Sequence, residues 1–272
     1  MSIVEVSPVR APSAHAAAPS RRDRIVDHLV QCVQTTDVCD APFQHAFFRD
    51  VFPDDVYRAI MTGLPARSAY RPLNIKRWHN AEGQSTRDQL FLSEGEIDRI
   101  ELAKQDLWRD ITLALESDAL RRAIFTAFRH DVAIRLGCRP EEVAAQPMYP
   151  SVSLVRDFKD YRIKPHPDGQ PRVVTMLFYL PHDGGQSDLG TSLYKKLPLA
   201  YRLIGRSFQE IKRFAFLSNS AGAFAVNDCA QRQSYHGREL LGADCGVRDM
   251  IMVMWLSSPM TFATRHNDQT MY

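Results

Sequence analysis

Apolar positions change their spacing part-way along the chain, and the change divides it. From Ser20, a helix-capping residue, Ile25, Val26, Leu29, Val30 and Val33 recur at helical spacing. The stretch APFQHAFFRDVF reads as a strand or extended segment. Pro53-Asp54-Asp55 then opens a helix through Tyr57, Ile60, Met61 and Leu64, which Pro65 ends. Residues 66–92 show no clear period and many polar positions, among them Trp78, His79 and Asn80, so a long irregular loop is expected there. Two helices are expected over 94–117 and 118–137, the second stopping at Gly137. No internal repeat is visible.

After Pro140 the helical period gives way to short β-rich runs: YPSVSLVRDF, YRIKP, RVVTMLFYL, TSLY, KRFAFL, GAFAVN, SYHG and RDMIMVMWLS. Gly, Asp, Asn and Pro separate them, as in an antiparallel sandwich or barrel. The fold class expected is therefore α+β. Residues 141–272 form a jelly-roll core, and the mainly helical residues 20–140 pack on it within one domain. Residues 1–19, rich in Ala, Pro and Ser, are expected to be a disordered tail.

Composition narrows the partners. At 272 residues, 44% hydrophobic and 24% charged, the chain can bury a substantial core. A formal net charge of +2 provides no strong field for nucleic acid or an anionic membrane, and neither is expected as a partner. No window approaches the roughly 20 apolar residues of a membrane span. Glu5 and the lack of an apolar run argue against a signal peptide, and Arg21-Arg22 leads into Asp23-Arg24 and a helical pattern rather than a twin-arginine signal. Cys32, Cys39, Cys138, Cys229 and Cys245 are odd in number and contain no CxxC pair, which points to reduced thiols and a cytoplasmic location. Nothing here indicates an oligomeric state.

The chemistry concentrates in the β half. His166-Pro167-Asp168 follows a strand ending at Pro165, and residues at i and i+2 project to one side. His236 lies 68 positions after Asp168, within SYHG. Two imidazoles and one carboxylate on one face leave three coordination positions open, which suits Fe(II) binding a bidentate co-substrate together with O₂. A His-x-acid match alone is weak, since 9 His and 32 acidic residues produce about one by chance. His266-Asn267-Asp268 is such a match, with no strand before it and no His after it, and reads as a solvated tail. Order and context favour the first. An apolar strand, Val173 to Leu180, follows it, and Arg248 opens the apolar strand DMIMVMWL twelve positions past His236. A buried arginine is costly unless it meets an anion, and its planar fork matches a carboxylate. A dicarboxylate with one end on iron and the other on Arg248 fits both features.

The segment DYRIKPHPDGQPRVVTMLFYLP…DLGTSLY…FAVNDCAQRQSYHGRELLGADCGVRD resembles the core of the Fe(II)/2-oxoglutarate-dependent oxygenases, nearest to their prolyl-hydroxylase-like branch, over roughly residues 149–258. VFPDDVYRAI resembles the helix that often precedes this core. The resemblance implies a double-stranded β-helix, cupin-like, with iron held by His166, Asp168 and His236. It implies that Arg248 meets the far carboxylate of 2-oxoglutarate and that Tyr179 hydrogen-bonds the same group. The chain departs from the family pattern in two places. The gap from His236 to Arg248 is slightly longer than the family's usual spacing, with Arg238 as a rival only two residues from the ligand. Arg156 stands ten positions before His166, where relatives often have tyrosine. Because Asp168 is present, hydroxylation is implied rather than halogenation.

The expected substrate is a small molecule, such as an amino acid, a derivative of one or a biosynthetic intermediate. It is expected to be anionic if Arg156 and Arg162 face it; otherwise these pair with Asp157 and Asp160 on a solvated edge. Residues 151–213 hold eleven Lys/Arg against six Asp/Glu, a weak hint the same way. Other readings of the same residues are a cupin-like metalloenzyme without 2-oxoglutarate, a hydroxylase of protein side chains, and a non-catalytic binding module. Met250, Met252 and Met254 alternate along one strand and read as core packing.

Overall fold

Ser20 starts the first helix as its spacing predicts, accepting a hydrogen bond from the Asp23 amide at the head of α1 (Arg21–Thr35). In the computed structural model, which describes residues 18–259 except 204 and 231, α1 is followed by β1 (His45–Arg49) and α2 (Asp54–Thr62). Most of the expected N-terminal tail, and His266-Asn267-Asp268, lie outside the described residues.

The loop expected over 66–92 is partly a sheet. It contains β2 (Arg71–Pro72) and β3 (Arg87–Phe91). β3 is buried although it begins Arg-Asp-Gln, because each of these polar residues stands opposite another polar or sheet residue of β4 (Tyr149–Asp157). The helix expected over 94–117 is two, α3 (Glu94–Ile97) and α4 (Leu102–Leu115). That expected over 118–137 is also two, α5 (Asp118–Ala127) and α6 (Arg129–Leu136). The turn between them keeps Phe125, Phe128 and Val132 all in the core. The last helix stops where expected, at Gly137 with φ +66°.

From β4 onward the strands are β5 (Ile163–His166), β6 (Arg172–Leu180), β7 (Ser192–Lys196), β8 (Phe208–Arg213), β9 (Ser220–Ala225), β10 (His236–Arg238) and β11 (Arg248–Leu256). β8 lies earlier than the KRFAFL run suggested. One antiparallel sheet has the order β1-β9-β6-β11-β4-β3-β2, the other β5-β10-β7-β8. Counting the eight strands from β4, the first, third, sixth and eighth share the large sheet, and the second, fourth, fifth and seventh form the small one. That alternation is a jelly roll, the double-stranded β-helix.

Both faces of the large sheet are buried, which explains why β6 and β11 read as unbroken apolar runs rather than alternating ones. Ile251, Val253 and Trp255 face the helices, meeting a core that includes Trp108 and Phe125. Met250, Met252 and Met254 face the space between the sheets with Phe224 and Leu177. The helical layer therefore covers one side of the sheet and leaves the other to line the site.

Candidate metal centre

Strand register brings the two histidines together. β10 pairs with β5 so that His236 stands directly opposite His166, and their ring centroids are 4.5 Å apart. Asp168 follows just beyond the end of β5, two residues from His166. Its carboxylate oxygens lie 3.3 Å from His166 Nε2 and 3.4 Å from His236 Nε2. One donor atom from each of the three lies within 4.8 Å of the others, and this is the one His/Cys/Asp/Glu group among the described residues arranged to hold a metal.

Each imidazole is held from behind in the same way. His166 Nδ1 is 2.9 Å from the Lys164 carbonyl and His236 Nδ1 is 2.9 Å from the Ser234 carbonyl. A carbonyl can only accept, so Nδ1 carries the proton in both rings and the Nε2 lone pairs turn toward Asp168. Burial first, and then the neighbouring His236, push the His166 pKa down, so the ring stays neutral and able to ligate. Burial acts to raise Asp168. Arg172 first, and then the two imidazoles beside it, outweigh it and hold this carboxyl well below the usual range. Arg172, at the head of β6, donates to Asp168 Oδ1. Two imidazoles presenting Nε2 and one ionised carboxylate, converging on one point, fit a divalent iron.

The cavity in front of this group is lined also by Arg87, Arg238, Arg248, Thr175, Thr191 and the three alternating methionines. It has a free volume of about 60 Å³, room for roughly two waters. A guest of five carbons must displace side chains, and unbranched Met walls are suited to that. Wider surface hollows of about 540 and 1330 Å³ lie elsewhere and contain none of the three metal-site residues.

Arg248 lies where expected, at the inner end of β11 and 2% exposed, but it already has an anion. Asp157 stands opposite it on β4, and Arg87 on β3 stands opposite Asp157 from the other side. Arg87 grips Asp157 with Nε at 2.6 Å and Nη2 at 3.0 Å. Arg248 Nη1 donates to Asp157 at 2.6 Å, and its Nε donates to the Leu189 carbonyl at 2.6 Å. One residue further along, on the opposite face, the charges reverse: Asp88, Arg156 and Asp249 form the next cross-strand row. Arg156 is therefore bound bidentately to Asp249, at 2.7 and 3.1 Å, and lies over Tyr70, away from the cavity. Its partner is Asp249 rather than the Asp157 or Asp160 that its sequence position suggested. Arg162 is exposed, between the cavity-lining Tyr161 and Ile163, and does not line the cavity itself.

Tyr179 is wholly buried, and its hydroxyl accepts from the Thr191 amide at 3.4 Å. It sits behind Thr191 rather than on the cavity wall. Trp78 anchors its loop, with Tyr161 and the Arg87 guanidinium against its ring.

Sequence reasoning missed Arg87 and Arg172 and gave Asp157 and Arg238 only minor parts. For Arg238 a signal existed, because a residue two positions from a strand ligand shares its face. For Arg87 there was none, since it stands in a stretch without period.

No family model matches the chain, and no curated protein does. Among solved structures, a Pseudomonas putida prolyl-4-hydroxylase is similar over 85% of this chain and 98% of its own, at 14% identity and TM-score 0.48. An oxidoreductase of the 2OG-Fe(II) oxygenase family from Burkholderia pseudomallei is similar over 92% and 94%, at 14% identity and TM-score 0.45. HygX from Streptomyces hygroscopicus, solved with nickel and 2-oxoglutarate bound, is similar over 80% and 84%, at 12% identity and TM-score 0.42.

Proposed function

We propose that this chain is a non-haem Fe(II)- and 2-oxoglutarate-dependent dioxygenase that hydroxylates an unactivated C–H bond of a small molecule, such as an amino acid, an amino-acid derivative or a biosynthetic intermediate. The observation that carries the reading is the pair of imidazoles locked by carbonyls at Nδ1, with both Nε2 atoms turned onto one buried carboxylate in an arginine-lined cavity. Bound iron and 2-oxoglutarate would supply the oxidising power, coupling decarboxylation of the 2-oxo acid and reduction of O₂ to C–H hydroxylation.

The chain's own residues would contribute the rest. His166, Asp168 and His236 would occupy one face of the metal and keep the other open. Arg172 would keep Asp168 ionised and fix its orientation. Arg248, held in place by Asp157, would add positive potential at the inner end of the cavity. Leu177, Phe224 and the methionines would exclude water from the reacting C–H.

Anaerobic titration tests this. Fe(II) and 2-oxoglutarate together should develop a weak visible charge-transfer band that neither produces alone, and His166→Ala should abolish it. In air, the correct small molecule should stimulate succinate release. A chain that binds Fe(II) but shows no band with 2-oxoglutarate would be the cupin-like metalloenzyme. Succinate release stimulated by peptides alone would make it a hydroxylase of protein side chains.

A further inference from the structure

His166 and His236 are oriented alike but by different means. The Lys164 carbonyl behind His166 belongs to β5 itself, so the strand that carries this ligand also holds its ring. The Ser234 carbonyl behind His236 belongs instead to the loop between β9 and β10. β10 is three residues long, and its pairing with β5 shifts register between His236 and Arg238. So short and interrupted a ladder leaves the setting of the His236 ring to the loop that leads into it.

That loop is tied to a helix. Asn227 and Ser234, both buried, clasp its two ends. The Asn227 amide donates to Ser234 Oγ at 2.8 Å, and the Ser234 amide donates to the Asn227 carbonyl at 2.9 Å. Asp131 on α6 holds the clasped loop at two points. Its carbonyl accepts from Asn227 Nδ2 at 2.9 Å, and its carboxylate accepts from Arg232 Nε at 2.7 Å. The second carboxylate oxygen takes the Gln44 amide at 2.6 Å, just ahead of β1, and Gln44 Oε1 accepts from the Asp131 amide at 3.0 Å. Asp131 is wholly buried, and a buried carboxylate is costly unless it is paired and hydrogen-bonded, so these contacts hold the loop to one arrangement. One turn further along α6, Arg135 Nε donates to the carbonyl of Arg172, the residue that donates to Asp168. Its Nη1 lies 2.7 Å from an oxygen of Asp228, in the same loop. At i and i+4, Asp131 and Arg135 share the face of α6 turned towards the ligand-bearing segments.

Resting on the metal-site reading above, we propose that Asp131 is a positioning residue for His236. Through Arg232 and Asn227 it fixes the loop whose Ser234 carbonyl sets the imidazole, and it is the point at which the helical layer acts on the metal centre. The competing role is an anchor between α6 and the loop that leaves the ligand's geometry alone.

The test is an anaerobic titration of the metal-free full chain with Fe(II) alone, beside urea unfolding of each variant. Asp131→Asn, equal in size, should weaken Fe(II) about tenfold or more, the scale seen when a group that orients a metal ligand is lost. Arg232→Met, at a half-buried position, guards against a folding defect and should weaken Fe(II) similarly. The double variant should be no more than about twofold weaker than Asp131→Asn, because both changes cut one chain of contacts. With Co(II) in place of Fe(II), both single variants should shift the visible bands that report ligand geometry. Trp255→Ala, which destabilises by lost packing, should leave those bands in place and Fe(II) affinity within about twofold. If Asp131→Asn and Arg232→Met lower the urea midpoint but bind Fe(II) within about twofold of the unaltered protein, the residue is an anchor only and the proposal fails. Weakening by Asp131→Asn without weakening by Arg232→Met breaks the chain of contacts and overturns it as well. An unaltered protein that binds no Fe(II) sinks the metal-site reading itself, and this assignment falls with it.

Discussion

Asp157 is wholly buried and answers two arginines from strands on either side of it. Removing one partner of such a group leaves charges stranded in a low-dielectric interior, and the cost of that exceeds the worth of the bonds themselves. Asp157→Ala is therefore expected to destabilise the fold by about 3–5 kcal/mol, read from urea unfolding, and a loss under about 1 kcal/mol would contradict the picture of a required anion. The reversed row behind it gives a pH effect. His182 Nε2 lies 2.7 Å from Asp249, and that hydrogen bond raises its pKa against the opposing effects of partial burial and Arg156, with Asp183 adding a smaller upward push. A folded pKa above the unfolded one means the stabilisation is fully present below about pH 6.5 and is lost as pH rises through the folded value. His182→Ala should flatten that part of the stability–pH curve between about pH 6 and 8. A variant curve parallel to the parent's would show that the pair contributes nothing.

At the scale of elements, the metal group depends on how closely β10 approaches β5. Gly237 lies between His236 and Arg238, and a Cβ there would come within 2.6 Å of the Ile163 carbonyl oxygen and 3.2 Å of the Lys164 carbonyl carbon. Backbone cannot yield as a flexible side chain can, so the strands would separate. Gly237→Ala is expected to weaken Fe(II) binding by about tenfold or more through misplaced imidazoles, although no ligand is altered. Binding equal to the parent's, measured by anaerobic titration, would mean the register is not what positions His236. β3 shows a related dependence. Its Arg87, Asp88 and Gln89 are polar yet buried, because β4 supplies Asp157 and Arg156 opposite the first two and Ser153 Oγ within 3.0 Å of the Gln89 amide. A strand whose burial relies on partners from another strand carries no apolar alternation of its own.

For the whole molecule, the helices on one face of the large sheet and the site on the other mean that metal binding and folding are linked. A ligand that binds only the folded chain stabilises it by mass action, about 2.7 kcal/mol at a hundred times its Kd. Anaerobic Fe(II) at that ratio should raise the Tm by about 5–10 °C, scaled for a chain of this size, and His236→Ala should remove the shift. No shift in the unaltered protein would mean that the three residues do not hold the metal. Trp255 reports on the other face: it is fully buried against the helical layer, with Phe125 edge-on at 6.3 Å. Trp255→Ala is expected to cost about 3–5 kcal/mol in urea unfolding and to leave Fe(II) affinity within about twofold, separating the supporting layer from the site.

The jelly roll, the helical half and the candidate ligands were legible in the sequence because each rests on local rules. Short β-rich runs between turn residues mark strands, a Ser cap marks the start of α1, and His166 and Asp168 share a side by strand geometry alone. That His236 stands opposite His166, with Asp168 within reach of both, is set by pairing between strands about 70 residues apart. No local pattern encodes such a pairing. The partners of the buried charges were decided the same way. Sequence distance suggested Asp157 or Asp160 for Arg156, but the β4–β11 register assigns it Asp249 and gives Asp157 to Arg248. It also placed Arg238, next to a ligand in the chain, with its Nη1 on the carbonyls of Asp188 and Gly190.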